Sequence, residues 1–449
     1  MYFLPAMALQ ADSSICVRAG LECAGYRSQS DLIFRDQTKS IIKRLSVPKD
    51  EVITTRHQTA RWSPVTVTPA LSIEEVAQKV FFDNFPVLGD NCKTWMESGM
   101  EQPSTVNISL TSVGLAALAL VQKDPSMMNL ARGKYLSAIR AISRTINCHQ
   151  GIRIEQSIAG SYILSMFEMI TCDTHSASHT WQKHVHGAAA LLGYLCSTNG
   201  LPIPLVKEVI DIYYTTALAC LLDGKLVPQT FLESPNNFEE LSNIRQQDVD
   251  PLSSAMQLFV VMGTLCNLYA SKDFDLLASS QLFELATHSD RVLQTWAISL
   301  PISWNYHQAG PQYVYQDVWF ARMWNYYRLA RILANRIIMD NFDISSSQTL
   351  PSQTALPEEF RAKYDQANAA ISVLSQEIYG TLPFMFNSEQ MLSASLPWSA
   401  ALFFTTTLLQ SLLKLTDRAI LIQNWSSPTC EVLGARFTMA KNMVTQNLH

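Results

Sequence analysis

The chain has 449 residues, 48% of them hydrophobic and 16% charged, with a net charge of −5 and a pI near 6.0. That length buries a substantial core and suggests two or three subdomains, while the acidic balance excludes a protein that binds nucleic acid over its whole surface. The charge is uneven, because residues 16–61 hold nine Lys or Arg against five Asp or Glu, so a basic head precedes an acidic body. Nine cysteines lie scattered singly with no CxxC pair, which fits thiols in a reducing, intracellular compartment better than a disulfide framework.

In chain order, the opening MYFLPAMALQADSSIC has a short apolar stretch but lacks the positive charge that precedes a secretory signal. Residues 37–70, with mixed charges, Thr, Ser and three prolines, read as a mobile linker. From 71 to 449 every clear periodicity is helical. Tyr135, Ala138, Ile139, Ile142 and Ile146 recur on one helical face, with Arg132, Arg140 and Arg144 on its polar side. Ile158, Tyr162, Met166, Met169 and Ile170 mark a second helix, and Ile163, Leu164 and Phe167 add a further apolar face that implies burial on most sides. Trp181, Val185, Ala188, Leu192 and Leu195 mark a third. A long helix carries Trp319, Met323, Tyr326, Ala330, Leu333 and Ile337, and another covers Lys363 to Tyr379. Stretches 233–251 and 343–359 read as long surface loops. The uncharged run between Glu389 and Lys414 is long enough to span a bilayer, but Pro397 and its many Ser, Thr and Gln favour a buried helix. No segment alternates strictly enough for a half-buried strand. The expected fold is all-α, a packed array of helix pairs.

Signatures of common chemistry are absent: the chain has no HExxH, GxSxG, Walker loop or GxGxxG. His175, His179, His184 and His186 form the densest group of metal-ligand types, yet a loop from Thr174 to Thr180 leads into the helix near Trp181 and the imidazoles need not converge. Asp248 and Asp250 read as a solvated acidic turn. Glu168, inside an apolar helix, reads as a carboxylate paired with a neighbouring helix. The sequons at Asn107 and Asn424 read as chance occurrences. None of these defines an active site, so no enzyme is expected.

The segment ICVRAGLECAGYRSQSDLIF, with its CxxxxxxC spacing between Cys16 and Cys23, the intervening RAG and the trailing GYR, resembles the closing part of the fungal six-cysteine binuclear zinc cluster. ARGKYLSAIRAI, EQSIAGSYILSMFEMIT and WQKHVHGAAALLGYL resemble successive helices of the fungal-specific transcription factor domain that follows such clusters. WNYYRLARILANRII, ISVLSQEIYGTLPF and LPWSAALFFTTTLL resemble its later part. The resemblance covers roughly residues 70–425 and implies a nuclear regulator of transcription for a metabolic or secondary-metabolite gene set, with other regulators or the transcription machinery as partners and room for a small-molecule effector.

The chain departs from that pattern at its start. Ser13 stands where the family has a cysteine three residues before Cys16, and no cysteine precedes it. Four of six ligands are missing, and two thiolates cannot hold structural zinc well; the preferred reading of Cys16 and Cys23 is two free thiols. Without metal, residues 1–36 are expected to be a disordered remnant, and the helix with which the family reads bases is lost. Arg18, Arg27, Arg35, Lys39, Lys43 and Arg44 can give only weak, salt-sensitive attraction to DNA phosphates. No cofactor and no membrane are therefore expected for the chain as written. Zinc enters only if an overlooked upstream exon restores four cysteines; otherwise the chain acts without its own specific DNA contacts.

Overall fold

In the computed structural model the described residues are 71–84, 104–147, 154–171, 180–199, 206–233, 251–271, 279–310, 312–348, 358–387 and most of 407–416. All of them belong to the unit Ala70–His449. Helices hold 89% of the described residues and pack in pairs, so the all-α expectation holds.

Local chemistry sets the helix starts. α1 (Ile73–Asn84) opens on a reciprocal capping box, in which Ser72 N donates to Glu75 Oε2 at 2.6 Å and Glu75 N donates to Ser72 Oγ at 3.2 Å. The Ser72 amide holds the Glu75 carboxyl below its usual pKa. α2 (Thr105–Gln122) starts at Ser104, whose Oγ accepts from Asn107 N, and ends at Lys123 in the left-handed region. α3 (Pro125–Asn147) has proline at its first position and Asp124 accepting from Ser126 N at 2.8 Å.

α4 (Ile154–Thr171) is almost wholly buried, with every residue from Ser157 to Phe167 inside. α5 (Thr180–Asn199), α6 (Val206–Asp223) and the short α7 (Gln229–Glu233) follow. α8 (Pro251–Ser271) and α9 (Ser279–Ser299) precede a 3-10 turn, Ile302–Trp304. A two-stranded antiparallel hairpin, β1 (His307–Ala309) and β2 (Gln312–Val314), comes next, then the long helices α10 (Val318–Gln348) and α11 (Glu358–Asn387).

Successive helices are spatial neighbours: α2 packs on α1, α3 and α4, α4 on α5, α5 on α6, and α6 on α8. α10 then serves α8, α9 and α11, while β2 lies on α11. α1 approaches α2 so closely that a Cβ at Gly114 would stand 2.0 Å from the Ala77 carbonyl oxygen, which explains glycine inside an apolar helix.

The predicted core faces of α4, α5 and α10 are buried throughout. Three expectations need correction. Ile146, in the last turn of α3, is 48% exposed although the periodicity places it on the apolar stripe. Residues 343–348, expected in a loop, are helical, since α10 continues to Gln348, and 349–357 lie outside the described residues. The hairpin is missing from the sequence reading because each strand is only three residues long, too short for alternation to register. Two described helices, α2 and α8, are long and apolar enough to cross a membrane, and most of each apolar window is buried against other helices. In the run between Glu389 and Lys414, Thr407, Leu408, Leu409, Ser411 and Leu412 are helical and buried.

Candidate functional site

α10 is buried on nearly every side from Trp319 to Ala330, and this drags its polar residues into the protein. Each of three arginines meets an acid from another helix. Arg322 Nη1 donates to Asp211 Oδ2 of α6 at 3.3 Å, and both side chains are 1% exposed. Arg331 grips Asp290 of α9 through Nε at 2.8 Å and Nη2 at 3.2 Å. Arg328 Nε donates to Glu377 Oε2 of α11 at 2.8 Å. Paired this way, buried charges escape most of the cost of lost hydration.

Arg328 differs from the other two in its surroundings. Its Nη1 donates to Tyr315 Oη at 2.9 Å, Asn325 Oδ1 at 3.1 Å and Thr381 Oγ1 at 3.3 Å. Its Nη2 is buried and has no acceptor. Around the guanidinium carbon stand four rings, with centroids at 5.1 Å (Tyr306), 5.4 Å (Tyr313), 5.9 Å (Trp324) and 6.0 Å (Tyr315). This is cation–π distance. Burial works against the Arg328 charge, but the tyrosines and Glu377 outweigh it and raise its pKa. Burial also pushes the Tyr315 phenol up, against the pull of Arg328.

Two of these rings come from a short surface segment. Residues 305–314 run between two buried anchors. Trp304 is fully buried and accepts from Trp324 Nε1 through its carbonyl at 2.8 Å; Tyr315 is 5% exposed and hydrogen-bonds Thr381 at 3.0 Å. Between the anchors the hairpin turns at Gly310, whose φ of +63° suits glycine. His307 to Gly310 are exposed, whereas Tyr306 and Tyr313 are half-buried and face the arginine.

A second polar cluster joins α3, α4 and α5. Tyr135 Oη donates to Glu168 Oε1 and lies 2.8 Å from His184 Nε2, which is 3.7 Å from the same carboxylate oxygen. Because the single phenol hydrogen goes to Glu168, the histidine must donate through Nε2. Burial raises the Glu168 carboxyl, but the hydrogen bonds from His184 and Tyr135 prevail and hold its pKa below the usual value. Burial and Glu168 together raise that of Tyr135. The cluster ties three helices, α3, α4 and α5.

The sequence-predicted residues are distributed as follows. Cys16, Cys23, Arg18, Arg27, Arg35, Lys39, Lys43 and Arg44 lie outside the described residues, as do His175, His179, Asp248, Asp250 and Asn424. His184 and His186 do not share a site, since His186 Nε2 pairs with Asp223 at 3.1 Å. Among the described residues no three His, Cys, Asp or Glu side chains group as metal ligands. Arg132, Arg140 and Arg144 are exposed on α3, and Glu168 is paired with neighbouring helices, both as expected. Asn107 sits in the first turn of α2, half-buried.

Cys220 and Cys266 are buried free thiols, and burial pushes Cys220 up to about 12, so neither is a ready nucleophile. A cleft of about 550 Å³ opens between α8 and α9, floored by Leu258, Leu293 and Trp296 and rimmed by exposed His288, Arg291 and Val292.

The Arg328 chamber escaped the sequence reading. A visible signal is the arginine on the apolar side of a helix, four residues after Trp324; its partners outside α10, such as Tyr315 and Thr381, 13 and 53 residues away in sequence, carry none. The fold and this chamber define an all-α protein of packed helix pairs with an arginine buried among aromatic rings. No protein-family model, curated protein or solved structure matches the chain.

Proposed function

We propose that the chain is a non-enzymatic regulator of transcription that acts in the nucleus through its helical body and controls a metabolic or secondary-metabolite gene set. One observation supports this reading. Five of the segments whose sequences resemble the fungal-specific transcription factor domain form helices in chain order, with ARGKYLSAIRAI in α3, EQSIAGSYILSMFEMIT in α4, WQKHVHGAAALLGYL in α5, WNYYRLARILANRII in α10 and ISVLSQEIYGTLPF in α11, while most of LPWSAALFFTTTLL lies outside the described residues. On this reading DNA is reached weakly or through a partner regulator, and the body carries the regulatory signal.

The test is a reporter assay in which residues 70–449 are fused to a foreign DNA-binding domain. The expected result is a change in transcription that depends on growth condition. An unchanged reporter under every condition would sink the proposal. The Arg328 chamber favours a second reading, a helical ligand-binding or interaction protein that no longer acts on transcription directly. That reading predicts a silent reporter together with retained ligand binding.

A further inference from the structure

The structure assigns a second role to the Arg328 chamber: it binds a small planar ring that bears an oxygen acceptor, of the phenol class, and Tyr306 occupies it as an internal stand-in. The inference names the effector class of the helical body and takes its regulatory purpose, though not its chemistry, from the function proposed above. The ring of Tyr306 stands for the ligand's ring.

Four observations lead here. The Tyr306 ring is held as a bound aromatic would be, under the Arg328 guanidinium at 5.1 Å, edge-on to Trp324 at 4.9 Å, and against Tyr315 at 5.0 Å and Tyr313 at 5.4 Å. Such ring and cation contacts recognise an aromatic face from any source. Arg328 Nη2 is a buried donor that Tyr306 leaves without an acceptor. A ring free of the main-chain tether can shift until its oxygen reaches this donor, and it would gain a charge-assisted hydrogen bond that the tethered tyrosine does not make; only such a differential interaction shifts an equilibrium between two occupants.

Tyr306 belongs to a segment that can leave. Between the anchors Trp304 and Tyr315 the three residues of β1 are exposed and pair with β2, which lies on α11, so Tyr306 and β1 can lift away while β2 keeps its place on α11. Segments with few buried contacts open at low free-energy cost. Lastly, the α8–α9 cleft is rimmed by exposed side chains, and among the described residues that line it none offers an unpaired buried side-chain donor like Arg328 Nη2.

The experiment uses the full chain, its Tyr306→Ala variant and p-cresol, the tyrosine side chain cut at Cβ. Removing the ring should lower Tm, and p-cresol should restore it saturably. Toluene, which lacks the oxygen, should bind about tenfold more weakly or worse. Wild-type protein should bind p-cresol with a saturable change in tryptophan fluorescence, at an affinity about tenfold or more below that of the variant, because Tyr306 competes.

Equal affinity of wild type and variant places the ring elsewhere and overturns the inference. No saturable binding to wild-type protein overturns it too, by making Tyr306 a permanent core ring. That wild-type titration stands even if Tyr306→Ala does not fold. Binding with a silent reporter removes only the transcription reading; an active reporter without binding removes only this one.

Discussion

Glu168 shows how a single residue's role follows from its neighbours. In sequence it is an acid within an apolar helix, and its pairing with a neighbouring helix was expected; the partners, Tyr135 and His184, became visible only in three dimensions. Its folded pKa lies below the ordinary value of 4.5. The carboxylate therefore stabilises the fold fully above about pH 4.5, and that contribution is lost as pH falls through the depressed folded value. Glu168→Gln should cost about 1–3 kcal/mol at neutral pH. The gap between wild type and variant should narrow below pH 4.5, as measured by denaturant melts across that range. A constant gap down to strongly acid pH would show that the charge of Glu168 contributes nothing.

At the scale of elements, the helices were legible because a 3.6-residue period over five turns leaves a long signature. Every apolar position named for α5 and for α10 is buried. Contacts between helices left less trace, and glycines make the point. Gly114 and Gly133 both interrupt helices, and the letters do not tell them apart. Gly114 faces the Ala77 carbonyl, while a Cβ at Gly133 meets nothing within 4 Å. Gly133→Ala should stabilise by about 0.5–1 kcal/mol, since alanine loses less backbone freedom on folding. Gly114→Ala should destabilise by about 1–3 kcal/mol by forcing α1 off α2. Thermal melts of the two variants should shift in opposite directions. The same reasoning explains the missed hairpin, whose strands are held by the chamber beneath them rather than by their own propensity.

For the whole molecule, the Arg322–Asp211 pair joins α10 to α6, elements 111 residues apart, inside the core. Breaking it leaves an uncompensated buried charge, so Asp211→Ala should cost about 3–5 kcal/mol. An effect near zero in equilibrium unfolding would mean that water reaches Arg322. Such a loss is a large share of the stability of any domain, and it should weaken the growth-dependent reporter response even though Asp211 is buried in the core. Transcriptional tests of core variants therefore need parallel stability measurements.

By itself the sequence determined the all-α class, the faces of its principal helices, the pairing of Glu168 and the solvated arginines of α3, because periodicity and charge placement act locally along the chain. It also carried the family resemblance on which the proposed function rests. Tertiary structure alone decided which buried charges meet, why Gly114 must stay a glycine, and that Tyr306, Tyr313, Tyr315, Trp324 and Glu377 converge on Arg328. Convergence of this kind depends on how helices and a short hairpin pack across gaps of tens of residues, and no pattern within one segment encodes it.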